Sequence, residues 1–439
     1  MVYAIIQRLF ESAKKFGILR LKITWLSIFK PMRNIVGSSS SKKTKNIGRP
    51  IHYFIAYGIC FFALGLGTAS LGPMLPFLAN NAAVSIAHIS FLFTADSLGY
   101  MLGSVGGGRL YDRFDGHKLM ILALALMVLI SVIIPLTPVF LVWLFVMFFF
   151  GLSKGLLDVG CNVNLVWVYQ SRVGPYMNGL HFSFGFGAFL APILITMVMS
   201  LFGEIITWPY WTLAILFVPG LVGLWRLKSP VNPDIEDHNR KKQPQNQKII
   251  ILMILLFFLY VGVEGGFSGW IFTYATHLGI ANDAAASFMT SIFWGALTIG
   301  RLISMLIAKR ILPSKLLFGN FILAVLILGL AIIWPTSPTI MWVVSAGLGF
   351  SLSSIFPTLL ALAESRMKIT GKVTGLFFLG SSLGSTLVPM LLGQIFEYIG
   401  SYQIMLTLFG LACIGLFVLI FLVFASNQVE KKSGVIEAK

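Results

Sequence analysis

Charge is what this sequence has least of. Only 15 of its 439 residues are acidic, and Asp, Glu, Lys and Arg together make up 11%, against about a quarter in soluble domains. So few charges cannot dress the surface of a soluble chain that is 57% apolar, with a mean hydropathy of +0.89. Lipid is the natural solvent for most of that surface. Cysteine is scarce as well. Cys60, Cys161 and Cys413 sit in apolar stretches, at spacings that suit neither a metal site nor a disulfide framework. There is no G-x-x-x-x-G-K-[ST] loop, so ATP drive has no support. Two G-x-S-x-G strings, at 151–155 and 380–384, lie in apolar helical sequence, without the strand-to-helix elbow that a serine nucleophile requires. The chain therefore reads as a non-enzyme without a cofactor.

What is abundant is long apolar runs. They fall at 51–79, 88–109, 117–135, 139–169, 176–200, 206–226, 249–276, 284–308, 314–334, 338–364, 372–395 and 402–425. Each can cross about 30 Å of hydrocarbon at about 1.5 Å per residue. A helix is the open-ended structure that satisfies its own backbone in lipid. The expected fold class is therefore an all-α membrane protein of twelve transmembrane helices.

Lys and Arg test that map. Of the 32 in the chain, eleven lie in residues 1–50. The others cluster after every second span: Arg109, Arg113 and Lys118 after the second, Arg172 after the fourth, six from Arg226 to Lys248 in the middle, and further groups after the eighth, tenth and twelfth. The intervening connections carry Glu204, Asp283 and Glu397 instead. An excess of cations on one side marks the cytoplasm, so both termini are expected there, in a plasma or inner membrane. The net charge of +17 then lies beside anionic lipid, and nucleic acid is not expected as a partner. Only Lys154 and Arg301 fall inside spans.

The polar stretch 228–248 divides six spans from six. This gives a basic N-terminal segment (1–50), a six-helix bundle (51–227), a cytoplasmic linker (228–248), a second bundle (249–427) and a tail (428–439). VYQSRVGPYMNGL (168–180) is similar to LAESRMKITGKVTGL (362–376), with SR recurring after 194 residues and GL after 196. Chance likeness between apolar helices is the plainer account. A true repeat would give two pseudo-symmetric bundles with a site at their interface, as alternating access requires. Residues 1–36 admit two readings. Ile6, Leu9, Phe10, Ala13 and Phe16 could share one face of a surface helix, or the true start is Met32. Gly99, Gly103 and Gly107 recur every fourth residue, which lets helices approach closely.

Asp96, Asp158 and Glu264 are the acids within spans. Each charge costs roughly 2.5–3.5 kcal/mol at the midplane, so each marks a candidate for function. Lys154 and Asp158, four apart, are expected to pair on one helix face. Glycines at 262, 265, 266 and 269 weaken the helix around Glu264, and a broken helix would free carbonyls for a cation. Trp270, Tyr274 and Trp294 offer aromatic faces with polar tips, as sugars require, and ordinary core packing is their plainer role. Arg301 shares a face with Trp294 or snorkels to the surface.

The loop GGGRLYDRFDGHK (106–118) resembles the major facilitator pattern G-x-L-x-D-R-x-G-R-K, with His117 where Arg is usual and one residue added before Gly116. LLDVGCNVNLVW, GPYMNGLHFSFGFGAFLAP, YVGVEGGFSGWIFTYA and FWGALTIGRL are similar to the fucose permease and sodium-dependent glucose transporter branch of that superfamily. The resemblance implies a secondary transporter of a neutral monosaccharide driven by Na+ or H+. Asp112, Arg113 and Arg109 would latch the cytoplasmic side. Asp158 and Asn162 would match an acid that couples the ion and an amide that binds sugar. His181 would match a sugar-binding Gln. Glu264 and Lys154 join the expected ion-coupling set. GTASLGPMLP (67–76) has no acid where fucose permeases carry a coupling Asp, which points away from fucose and toward sodium. Partners are then a small-molecule substrate and the bilayer, with the chain acting as a monomer. A carrier of another solute, such as a lipid or drug-like amphiphile, is the alternative.

Overall fold

The computed structural model describes residues 50–230, 247–307, 310–366 and 371–432. The expected surface helix in 1–36, most of the 228–248 linker and the end of the tail lie outside the described residues. The chain runs through α1 (Pro50–Ala82), a short α2 (Ile86–Ile89), α3 (Phe91–Arg113), α4 (Gly116–Ile133), α5 (Phe140–Tyr169), α6 (Val173–Phe202), α7 (Thr207–Trp225), α8 (Gln247–His277), α9 (Asp283–Ile307), α10 (Pro313–Ile333), α11 (Pro338–Leu352), α12 (Ile355–Arg366), α13 (Gly371–Tyr398) and α14 (Gln403–Lys432). The described residues contain no strand, as a lipid-exposed backbone demands.

Eleven of these elements are long and apolar enough to cross a membrane, with α11 and α12 counted as one span, Pro338–Arg366. The twelfth expected span, α3, forms a 23-residue helix but falls short on hydropathy because of its glycines, serines and Asp96. Local signals set the helix ends. Asp115 Oδ1 accepts the Lys118 N–H at 3.0 Å and caps α4, and Ser337 caps α11. Gly279, at φ +65°, turns the chain after α8, a backbone region that other residues enter only with strain.

The two halves are wired alike. In the first, α3 packs on α5, α1 on α6 and α4 on α7; in the second, α9 packs on α11, α8 on α13 and α10 on α14. These are corresponding pairs, so the repeat in the sequence is a repeat in the fold. Glycine makes the closest pairs possible. A Cβ on Gly99 would overlap the carbonyl of Phe148, and one on Gly151 that of Asp96. Gly65 and Gly187 do the same between α1 and α6, and Gly384 does so between α13 and α8.

The halves meet where α6 packs on α9, α13 on α3 and α2, and α1 on α8. Call the side that carries Arg109, Arg113, Arg172 and Arg226 the basic face. The bonds between halves lie toward the opposite face. There Thr196 meets Ser287, Ser97 donates to the Ser385 carbonyl at 3.1 Å, and Gln394 donates to the Ala87 carbonyl at 2.9 Å. Phe77 and Phe272 approach to 6.1 Å alongside them. Toward the basic face the halves part. Gly185 of α6 lies against Thr298 of α9, yet His181, one turn nearer the basic face on the same side of α6, is exposed. Leu302, one turn past Thr298, is also exposed. The molecule is thus shut on the face opposite the basic one and opens between the halves toward the basic face.

Candidate functional site

The glycine contact between α3 and α5 fixes the first cluster. On α3, Asp96 and Tyr100 are one turn apart; on α5, Lys154 and Asp158 are one turn apart. The helices bring them together as two rungs. Lys154 Nζ lies 2.7 Å from Asp96 Oδ2, and the Tyr100 hydroxyl donates to Asp158 Oδ2. Both rungs join residues 58 apart. Asn162, one turn further, donates its amide to Asp158 Oδ1 at 2.8 Å and to the Asp158 carbonyl at 2.9 Å.

This corrects the expected pairing of Lys154 with Asp158. Residues four apart on one helix are neighbours, but here the partner helix is so close that Lys154 reaches across to Asp96, and Asp158 across to Tyr100 as well as along to Asn162. Asp158 and Asn162 do come together as expected. Tyr100 had no mark in the sequence beyond its four-residue spacing from Asp96.

The second cluster lies in the other half. Glu264 Oε2 accepts the Tyr260 hydroxyl. Arg301 lies within electrostatic reach of Tyr260 and Glu264 in its own half and of His181 across the interface. Arg301 Nε also donates to the Ser353 carbonyl at 3.3 Å, at the break between α11 and α12. Arg301 therefore points into the protein, and of its two readings snorkelling is not the one seen. The expected break around Glu264 is also absent, because α8 runs unbroken from Gln247 to His277. Its glycines serve packing instead: Gly262 and Gly266 receive Val388, and Gly269 receives Phe93. The break falls at Ser353–Ser354, where Arg301 donates to the Ser353 carbonyl and Asn320 donates to the Ser354 hydroxyl.

The aromatic residues divide into two kinds. Trp270 is 0% exposed. Its indole N–H donates to the Pro389 carbonyl at 2.9 Å, and its ring lies 6.3 Å from Phe93 of the other half. Tyr274 is also fully buried and donates to the Pro335 carbonyl at 3.3 Å. In this conformation both polar tips bond main chain, within the closed face. Trp294 differs. It sits at the junction of the halves, 6.1 Å from Phe184, and its buried indole N–H has no hydrogen-bond partner. His181 faces the same opening, with its ring 5.6 Å from Phe61.

Asp112, Arg113 and Arg109 are exposed at the basic end of α3. His117, where the facilitator pattern has Arg, is buried. It contacts the Tyr57 hydroxyl at 2.8 Å and the Leu227 carbonyl at 3.0 Å, so the loop is tied to α1 and to the end of α7. Among the described residues no group of His, Cys, Asp and Glu is arranged to hold a metal ion.

Comparison with known proteins agrees with this architecture. The Major Facilitator Superfamily profile matches residues 57–389. Sodium-dependent glucose transporter 1 of Xenopus laevis is 29% identical over 360 residues, covering 75% of this chain and 73% of that protein. The Homo sapiens protein of the same name is 27% identical over 372 residues, covering 76% and 71%. Human major facilitator superfamily domain-containing protein 4A is 25% identical over 468 residues, covering 83% and 91%. Among solved structures, the nucleoside transporter NupG shares the fold with a TM-score of 0.71 at 12% identity, over 84% of this chain and 99% of that one. A bacterial homolog of the human lysosomal transporter Spinster, solved inward-facing, gives 0.62 at 14% identity, over 88% and 96%. With this match over most of its length and its paired six-helix halves, the chain belongs to the Major Facilitator Superfamily.

Proposed function

We propose that the chain is a secondary active carrier that moves a neutral monosaccharide together with a sodium ion by alternating access, with its basic face in the cytoplasm of a plasma or inner membrane. The observation that carries this reading is the environment of Asp158. Among the described residues its carboxylate is met only by neutral donors, the Tyr100 hydroxyl and the Asn162 amide. Asp96 and Glu264, by contrast, each have a cation within reach. A buried carboxylate without a cation is costly, so Asp158 is the acid suited to a cation that comes and goes. Relatives named as sodium-dependent glucose transporters support sodium as that cation and a hexose as the cargo. Trp294 and His181 border the opening between the halves and supply the aromatic face and polar groups that a sugar ring takes. Glu264, which accepts the Tyr260 hydroxyl and lies within reach of the Arg301 charge, serves as an acceptor for sugar hydroxyls. Asp112, Arg109 and Arg113, exposed while the basic face is open, form the latch that closes it in the other state.

Asp158→Asn in proteoliposomes tests the reading. Sodium-gradient accumulation of labelled D-glucose is lost, because the cation has lost its charged ligand. Exchange of labelled for unlabelled glucose persists, because the amide still fills the site. Accumulation at the wild-type level by this variant would overturn the role of Asp158. Accumulation by the wild type under a proton gradient alone would replace sodium with H+. No uptake of any monosaccharide would remove the sugar.

A further inference from the structure

We propose that Asp96 is a second monovalent-cation site, and that the ε-ammonium of Lys154 is its resident occupant. Lys154 is a tethered cation. It holds Asp96 closed to ions from solution and leaves Asp158 as the only rung of the ladder open to them.

Three observations carry this. First, the pair is buried, with side chains 4% and 15% exposed for Lys154 and Asp96. A buried carboxylate demands a positive partner at close range, and the ammonium supplies one at 2.7 Å. Second, that ammonium is poorly satisfied as a lysine. It carries three donors, yet its one hydrogen bond among the described residues goes to Asp96. Its further neighbour is the Phe150 ring, 5.6 Å away, within the range of a cation–π contact. It is held as a charge rather than as a hydrogen-bonding hub. Third, Asp96 keeps an open oxygen. Asp96 Oδ1 is buried without a partner, and so is the hydroxyl of Tyr210, which lies within electrostatic reach of Asp96. Hard cations take oxygen ligands, carboxylates among them. The adjacent rung spans the same two helices with neutral partners on its carboxylate. The two carboxylates thus differ in their partners: Asp158 has a neutral donor on each oxygen, and Asp96 has a cation supplied by the chain on one oxygen and none on the other.

Removing the ammonium should therefore expose a site for a free cation. The test uses the full chain in detergent and carries Asp158→Asn throughout, so the outcome does not depend on sodium binding at Asp158. With Lys154 intact, the melting temperature should be the same in sodium chloride and in N-methyl-D-glucamine chloride. Lys154→Gln in that background should show a saturable rise of a few degrees in sodium. Adding Asp96→Asn should abolish the rise. Lys154→Ala provides a second variant: methylammonium chloride should stabilise it as sodium does, by refilling the vacated position. The proposal is overturned if both Lys154 variants melt alike in sodium, methylammonium and N-methyl-D-glucamine. It is equally overturned if the sodium response survives Asp96→Asn or is already present with Lys154 in place.

Discussion

The Ser97 hydroxyl donates to the Ser385 carbonyl at 3.1 Å, and that carbonyl is the one that Pro389, inside α13, leaves without a helical donor. A proline has no N–H, so the carbonyl four residues before it lacks its usual partner. Here the partner comes from the other half of the molecule. The bond spans the two halves at the closed face, so the proline of α13 and the closure of that face are linked through Ser97. Ser97→Ala should remove about 1 kcal/mol from the closed state, a roughly fivefold shift of population toward opening. Distances between spin labels on α2 and on the end of α13 would report it. An unchanged distribution would reduce the Ser97 contact to packing.

The two tryptophans make opposite predictions. Trp270 uses its N–H on the Pro389 carbonyl, whereas the N–H of Trp294 is unpaired. Trp270→Phe should lower stability by about 1 kcal/mol, with little change in apparent affinity for the transported sugar. Trp294→Phe should leave the melting temperature unchanged and weaken apparent affinity about fivefold, the loss of one hydrogen bond of about 1 kcal/mol. Thermal unfolding and concentration-dependent uptake, measured on both variants, check the contrast. Equal effects of the two on affinity would contradict it.

Helix approach can be tested without transport. A Cβ on Gly151 would overlap the Asp96 carbonyl, whereas one on Gly410 of α14 meets nothing within 4 Å. Gly151→Ala should force α3 and α5 apart, at a cost of at least about 1–3 kcal/mol, and break both rungs of the ladder. Gly410→Ala should be neutral or slightly stabilising, since Ala is the better helix former by about 1 kcal/mol. Size-exclusion profiles and melting curves decide between these outcomes.

Sidedness is the simplest expectation to check. With the basic face in the cytoplasm, a cysteine in place of Gly203 should react with a membrane-impermeant maleimide added to sealed right-side-out vesicles. A cysteine in place of Arg240 should not react. Labelling at 240 in intact vesicles would reverse the orientation.

The sequence by itself determined the environment and the count. Twelve apolar runs dictate helices, because lipid leaves the backbone no other way to satisfy itself, and cations after every second run gather the basic connections on one face. The loop around Asp112 and the stretch from Asp158 to Asn162 carried the family. The three intramembrane acids were visible as acids, because a charge is rare and costly in that medium. Which partner each acid takes was decided only by tertiary structure. Lys154 meets Asp96 rather than Asp158, Glu264 takes the Tyr260 hydroxyl, and the broken span is the one containing Ser353 rather than the glycine-rich α8. Spacing along one helix fixes which residues share a face. It does not fix the register between two helices, which is set by where their glycines allow backbones to touch and which residues that contact brings level across the gap.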